Sequence, residues 1–269
     1  MIGFLGGGNM GEAIFSGILN HKLAEGQDLF VADISQERLQ YLKERYGVQT
    51  GNAKEMLKAL QDASERILFL CVKPYQFAKI EEEYAQLFKG IPMISIMAGW
   101  TNEKLTVQLP KGAEFLRVMP NACARVGKSM SVLAEENTLS DASYQLAVNL
   151  LNACGETCVL PERLFDAATG LSGSGPAYVF LFLEALIMAG VKNGLPWGDA
   201  RKMAVQTVVG SAEMIMQLKE SPHNLCDQVC TPGGTTIDAV HELLSKGFEG
   251  AVMDAVTVCT EKSKAMGRK

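Results

Sequence analysis

Histidine is scarce in this sequence. Only His21, His223 and His241 occur, far apart along the chain, and the seven cysteines include no Cys-x-x-Cys pair. That argues against a zinc site and, with an odd cysteine count, against a complete disulfide framework. Free thiols in a reducing compartment are the simplest reading. Net positive charge is also lacking. The formal charge is -5 and the pI about 5.4, so nucleic acid is not expected as a partner, and any anionic ligand must be held by local features. Long apolar runs are missing too. The most apolar segment, Ala177 to Val191, is interrupted by Glu184 and falls short of the ~20 residues of a membrane span, so a buried core helix is expected and no membrane contact. Met1 leads straight into Ile2-Gly3-Phe4-Leu5 without a basic leader or cleavage motif, which points to the cytoplasm. Internal repeats, charge blocks and low-complexity tracts are likewise missing from the sequence.

What is present is an ordinary globular composition, 48% hydrophobic and 20% charged, over 269 residues. That length accommodates two domains. The first half alternates strand and helix. Ile2 to Leu5 is a short apolar run that ends in Gly6-Gly7-Gly8-Asn9-Met10-Gly11, after which Ala13, Ile14, Gly17 and Ile18 take helical spacing. This is Gly-x-Gly-x-x-Gly between a strand and a helix. Gly6 allows the tight turn, Gly8 admits a pyrophosphate, and Gly11 lets helix and strand pack closely.

A second strand, Leu29 to Asp33, places an acid about 20 residues further on, where a ribose 2′-hydroxyl is bound in NAD sites. Ser35 and Arg38 follow and would suit a 2′-phosphate; as structure alone they read as a helix cap and a surface cation. The two cofactor readings stand side by side at this point. Asn52 and Glu55 have capping-box form. Arg66 to Val72 and Met93 to Met97 are apolar throughout, as buried parallel strands should be. They end at Lys73-Pro74 and Ala98-Gly99, at the strand ends where doubly wound folds bind ligands. Glu114 to Val118, Ser129 to Leu133 and Thr157 to Leu160 read as further strands around a Met119-Pro120-Asn121 turn and a helix from Asp141 to near Gly155. The expected first domain is a Rossmann-type α/β domain over residues 1–160.

Residues 161–269 read as nearly all helix. A helix from near Arg163 is expected to break at Gly170 to Pro176. Ala177 to Lys192 and Trp197 to Leu218 are then long helices with more apolar surface than a domain of about 100 residues can bury, so burial between two chains is expected. Late in the chain, Thr231-Pro232-Gly233-Gly234-Thr235-Thr236 runs into an amphipathic helix. A glycine turn at a helix N-terminus, flanked by hydroxyls, is a small anion site; as structure alone it is a helix cap after a turn.

Five motifs together, Gly6 to Gly11, Cys71 to Pro74, Arg117 to Asn121, Thr169 to Tyr178 and Thr231 to Thr236, resemble those of pyrroline-5-carboxylate reductases, in order and across essentially the whole chain. The resemblance implies reduction of 1-pyrroline-5-carboxylate to L-proline, the last step of proline biosynthesis, with NADP as cofactor and NAD also possible. It implies that Gly6 to Gly11 hold the pyrophosphate and that Ser35 lies near the adenosine 2′ position. Asn52, Val72, Lys73, Pro74, Met97, Ala98 and Gly99 would line the rest of the cofactor, with Cys71 and Asn121 from the same motifs counted among them beside Asp33 and Arg38. The amides of the Pro232 to Thr236 turn, led by Thr231, would take the substrate carboxylate, and Thr236 would hydrogen-bond the imine nitrogen. No metal is implied, and a homodimer or larger assembly is. The chain departs from the family pattern at Ala122-Cys123, where Thr-Pro is usual, and at Thr231, where Ser is usual.

A hydroxy-acid dehydrogenase of the same two-domain plan would need a basic lysine soon after the glycine-rich start of the interdomain helix, and Gly173 to Phe180 contains none. A non-enzymatic nucleotide sensor would have no use for an intact Pro-Gly-Gly-Thr-Thr turn.

Overall fold

The computed structural model describes residues 1–267. The chain forms two compact units, one of Met1–Gly173 with the end of the chain from Cys259, the other of Ser174–Val258.

The first unit is built on strands β1 (Ile2–Leu5), β2 (Leu29–Ala32), β3 (Gln49–Gly51), β4 (Ile67–Leu70), β5 (Met93–Ser95), β6 (Phe115–Met119), β7 (Ser129–Ala134) and β8 (Gly155–Leu160). They lie in one sheet in the order β3-β2-β1-β4-β5-β6-β7-β8. The first six are parallel, β7 runs antiparallel to β6, and β8 is parallel to β7. Helices α1 (Asn9–Asn20), α2 (Gln36–Tyr46), α3 (Ala53–Asp62), α4 (Pro74–Tyr84), α5 (Asn102–Gln108), α6 (Asp141–Asn152) and α7 (Phe165–Ala168) complete it. This is the Rossmann-type architecture expected from the alternating pattern. β3 carries no apolar signal, being Gln49-Thr50-Gly51, and pairing with β2 is what makes it a strand.

Alternation along each central strand divides the side chains between two cores. On one face Phe4 stacks on Phe69 with centroids 4.7 Å apart and meets Phe15 edge-on at 5.4 Å. On the other, Leu5, Leu68 and Leu70 pack with Met56, Leu57 and Leu60 of α3. Burying each such side chain is worth about 1.5–3 kcal/mol, so this unit carries its own core.

The second unit holds α8 (Gly175–Lys192), α9 (Trp197–Leu218), α10 (Pro222–Val229), α11 (Thr235–Ser245) and most of α12 (Phe248–Gly267). The expectation of a buried core helix at Ala177 to Val191 is not met within this chain. Only Ile187 of α8 is buried; Val179, Phe180, Leu181, Phe182 and Met188 are exposed. Moreover, the helical run Glu162–Lys192 is long and apolar enough, by length and composition, to cross a membrane, and only 6% of its most apolar window is buried here. The expected break at Gly170 to Pro176 is also corrected. Thr169–Gly173 is a π-helical turn, and only Ser174 interrupts the helical run before α8. The glycines are absorbed by widening the turn, with the Thr169 hydroxyl donating to the Phe165 carbonyl at 2.8 Å.

Candidate active site

The sheet changes winding direction between β1 and β4, and there the carboxyl ends of both strands meet. Gly6 has φ +107°, and a Cβ on it would lie 2.8 Å from the Cys71 carbonyl oxygen. A Cβ on Gly11 would lie 2.4 Å from the Gly6 oxygen, so the turn and α1 close on one another only as glycine. Gly8 is the opposite case. A Cβ there would meet nothing within 4 Å. The loop thus leaves open space in front of Gly8 and the first turn of α1, whose amides at Asn9 and Met10 have no preceding turn to bond to. Pyrophosphate recognition needs that arrangement, and the residues present fit a dinucleotide.

Side chains from α2 brace this loop. Asp33 accepts the Gly7 N–H at 2.8 Å through Oδ2 and the Ser35 N–H at 3.0 Å through Oδ1. Ser35 caps α2 by accepting the Arg38 N–H at 3.2 Å. Arg38 bends back over the loop, donating from Nε to the Gly7 carbonyl at 2.6 Å and pairing with Glu12 on α1. Glu12 also accepts the Tyr46 hydroxyl at 2.8 Å. Burial works against ionising Glu12, yet the hydrogen bonds from Arg38 and Tyr46 outweigh it and hold the carboxyl below its ordinary value. Tyr46 is pushed up to about 12 by its own burial and by Glu12.

The remaining expected cofactor residues fall on the same unit. Asn52 caps α3 in a reciprocal box with Glu55, each bond 2.9 Å. Cys71 and Val72 follow β4, the Cys71 thiol held above its ordinary range by burial. Lys73 is exposed and Pro74 starts α4. Met97 is buried, Ala98 exposed, and Gly99 has φ +75° with the Met266 carbonyl close by. Asn121 is engaged on every side. Its amide nitrogen Nδ2 donates to the Ser172 carbonyl at 3.1 Å, its Oδ1 accepts from Cys123 N–H at 3.1 Å, and its backbone N–H bonds Ser129. It ties β6, β7 and the π turn together. A cavity of about 310 Å³ opens beside Gly99. In its lining Arg117 pairs with Glu162 at 2.6 Å, and Asp166 accepts from the Ser263 hydroxyl at 2.6 Å.

The Thr231 to Thr236 stretch lies in the second unit. The Thr231 carbonyl accepts the Gly234 N–H at 3.0 Å, closing a turn in which Gly233 takes φ +68°. A Cβ on Gly234 would sit 2.3 Å from Thr231 Oγ1, so a larger residue there would displace that hydroxyl. Gly234 provides no side-chain cap for α11. The first-turn amides of Thr235 and Thr236 are therefore presented beside two hydroxyls, an arrangement that binds a carboxylate.

Reading the sequence alone missed Glu12 and Tyr46, which brace Arg38, and Ile34. Ile34 is 84% exposed immediately after Asp33, an apolar side chain left open to solvent beside the residues that brace the loop. Its signal was an apolar residue directly after the acid that ends a strand.

The N-terminal residues 1–99 match the family model described as NADP oxidoreductase, coenzyme F420-dependent, and residues 162–266 match that for pyrroline-5-carboxylate reductase dimerisation. The pyrroline-5-carboxylate reductase of Escherichia coli is 36% identical over 269 residues, covering 99% of this chain and 98% of that protein. The enzyme of Aquifex aeolicus is also 36% identical, over 98% of this chain and 97% of its own. Among solved structures, the Plasmodium falciparum pyrroline carboxylate reductase with NADP bound superposes with a TM-score of 0.88 at 30% identity, covering 99% of this chain and 97% of its own. A glycine turn whose Cβ-free geometry fits a pyrophosphate, a second glycine turn opening a helix with paired hydroxyls, and identity sustained from end to end all agree: the chain belongs to the pyrroline-5-carboxylate reductase family.

Proposed function

We propose that the chain reduces 1-pyrroline-5-carboxylate to L-proline, using NADPH and accepting NADH. The observation that carries this reading is the Thr231 to Thr236 turn, in which Gly233 takes a left-handed φ and which opens α11 without a side-chain cap. When bound, the reduced nicotinamide supplies a hydride. The first unit holds the dinucleotide through the Gly6 to Gly11 loop, with Ser35 and Arg38 at the adenosine end and Asn52, Cys71 to Pro74, Met97 to Gly99 and Asn121 along its path. In the second unit, the first-turn amides of Thr235 and Thr236 take the substrate carboxylate. The iminium N–H donates to Thr236 Oγ1, which orients the ring so that its carbon accepts the hydride. The substrate arrives protonated, so the site orients charge and needs no strong acid. A hydroxyl at a helix start suits a substrate carrying both carboxylate and iminium.

The domain division of this reading places cofactor binding in 1–160 and substrate binding with dimerisation in 161–269. The exposed apolar faces of α8 and α9 support a homodimer, and the family model for dimerisation spans the same residues. None of the seven cysteines is joined in a disulfide, which supports a cytoplasmic setting. The reading is tested by incubating the full chain with pyrroline-5-carboxylate and either reduced cofactor while following nicotinamide absorbance. Oxidation of both is expected, NADPH the faster, and the absence of turnover with either would overturn the proposal.

A further inference from the structure

The cysteines are not evenly scattered. Cys226 and Cys230 sit four residues apart at the end of α10, and Cys230 immediately precedes Thr231. The Cys230 N–H donates to the Cys226 carbonyl at 3.1 Å, keeping one helical turn between them. Four residues of helix rise about 6 Å, within the Cα separation a disulfide spans. Cys230 has left the helix, with φ -87° and ψ 94°, which frees its Cβ from the parallel orientation that keeps thiols apart in mid-helix. Both residues are partly exposed. No group of three or more His, Cys, Asp or Glu side chains converges as a metal site among the described residues.

We infer that Cys226 and Cys230 are a reversible oxidation site, a dithiol that closes to a disulfide and thereby displaces the turn that follows it. With a low-molecular-weight disulfide as oxidant, the Cys226 thiolate attacks one of its sulfurs, forming a mixed disulfide and releasing one thiolate. Cys230 then attacks the Cys226 sulfur of that mixed disulfide, losing its proton, and releases the second. The protein loses two electrons and two protons, and the oxidant gains them as two thiols. Bond formation draws the sulfurs to about 2.05 Å. Cys230 must move toward the helix, and Thr231 with its bond to Gly234 moves with it. A disulfide closed across a helix end is strained, and strained disulfides are readily reduced again. The effect on turnover rests on the function proposed above; the disulfide itself does not.

The test incubates the full chain with oxidised glutathione and then with dithiothreitol, following intact mass, peptide mapping and turnover together. The expected result is a chain lighter by two hydrogens, a mapped Cys226–Cys230 bond, and turnover down roughly 10- to 100-fold, as small misplacements of binding groups produce, with recovery on reduction. Cys226→Ser and Cys230→Ala should each retain full reduced activity and lose the sensitivity. No Cys226–Cys230 bond on mapping, or a mapped bond with unchanged turnover, overturns the inference, as does a variant that stays as sensitive to the oxidant as the parent chain. If the untreated chain turns over no pyrroline-5-carboxylate, the functional reading fails, while mass and mapping still decide the disulfide.

Discussion

The two units solve the problem of burying apolar surface in opposite ways. In the first, alternate residues along each strand feed separate cores on the two faces of one sheet, and Phe4, Phe15, Phe69, Phe77 and Phe88 are all fully buried. In the second, the one buried cluster joins Ile187 to Ala200 and Ala204, while Phe180, Leu181, Met216 and Met253 are 64–73% exposed. A helix that is apolar all round is a core helix only where there is something to surround it. The contrast teaches that the first unit covers its own apolar side chains, whereas the second leaves most of its own uncovered within one chain.

The largest effect should come from breaking the self-sufficient core. Phe69→Ala removes the ring stacked on Phe4 and should cost about 3–5 kcal/mol. Its denaturation midpoint should be independent of protein concentration. The matching change in the second unit, Phe180→Ala, should behave differently. If α8 is buried between two chains, the lost area is worth about 1.5–3 kcal/mol in each chain, seen as a roughly 100- to 10,000-fold weaker dimer by sedimentation and a melting point that rises with concentration. A folded, active monomer of the parent chain would break the comparison outright.

Function sharpens the same division. Thr236→Val keeps shape and removes the hydroxyl. Turnover should fall roughly 10- to 100-fold, from tenfold per 1.36 kcal/mol, with cofactor affinity almost unchanged. Full activity would move the assignment from this side chain to the backbone amides alone. In the other unit, Gly8→Ala puts a methyl into open space, so stability should hold within about 0.5 kcal/mol while cofactor affinity drops. Arg38→Ala should weaken NADPH more than NADH, and equal losses would refute its place at the 2′ position.

The smallest effect is a pH dependence confined to the first unit. Glu12 has a folded value below its ordinary one, so the stability it contributes is present above the unfolded value near 4.5 and is lost as pH falls through the lower folded value. Glu12→Gln should therefore flatten the acid limb of the stability curve. A mutant and parent with the same limb would remove Glu12 from the brace.

Much of this was legible in the residues. Gly6, Gly8 and Gly11 announced a dinucleotide turn because each position imposes a different steric demand, and the structure shows all three: a left-handed φ, an open space and a close approach. The Asn52–Glu55 box and the Ser35 cap follow from local chemistry alone and formed as expected. What sequence could not supply is long-range. β3 is a strand only because β2 lies beside it, and Glu12 meets Arg38 across 26 positions. The π turn defeated a local rule, since glycines that end most helices here sit where Asn121 and Thr169 hold the widened turn. The exposure of α8 had the same origin, because periodicity reports that a surface is apolar and not which chain covers it.

The ends of the sheet set a limit on how these molecules meet in a crowded solution. A long, flat, unpaired outer strand would let one molecule zip onto the next without end. Here one border is only three residues long, and Gln49 reaches across to the Gln27 carbonyl at 2.6 Å. The other, β8, carries exposed Glu156 and stops against Pro161. Shortness blunts the first margin as a template for strand pairing, and a charge followed by a proline stop blunts the second.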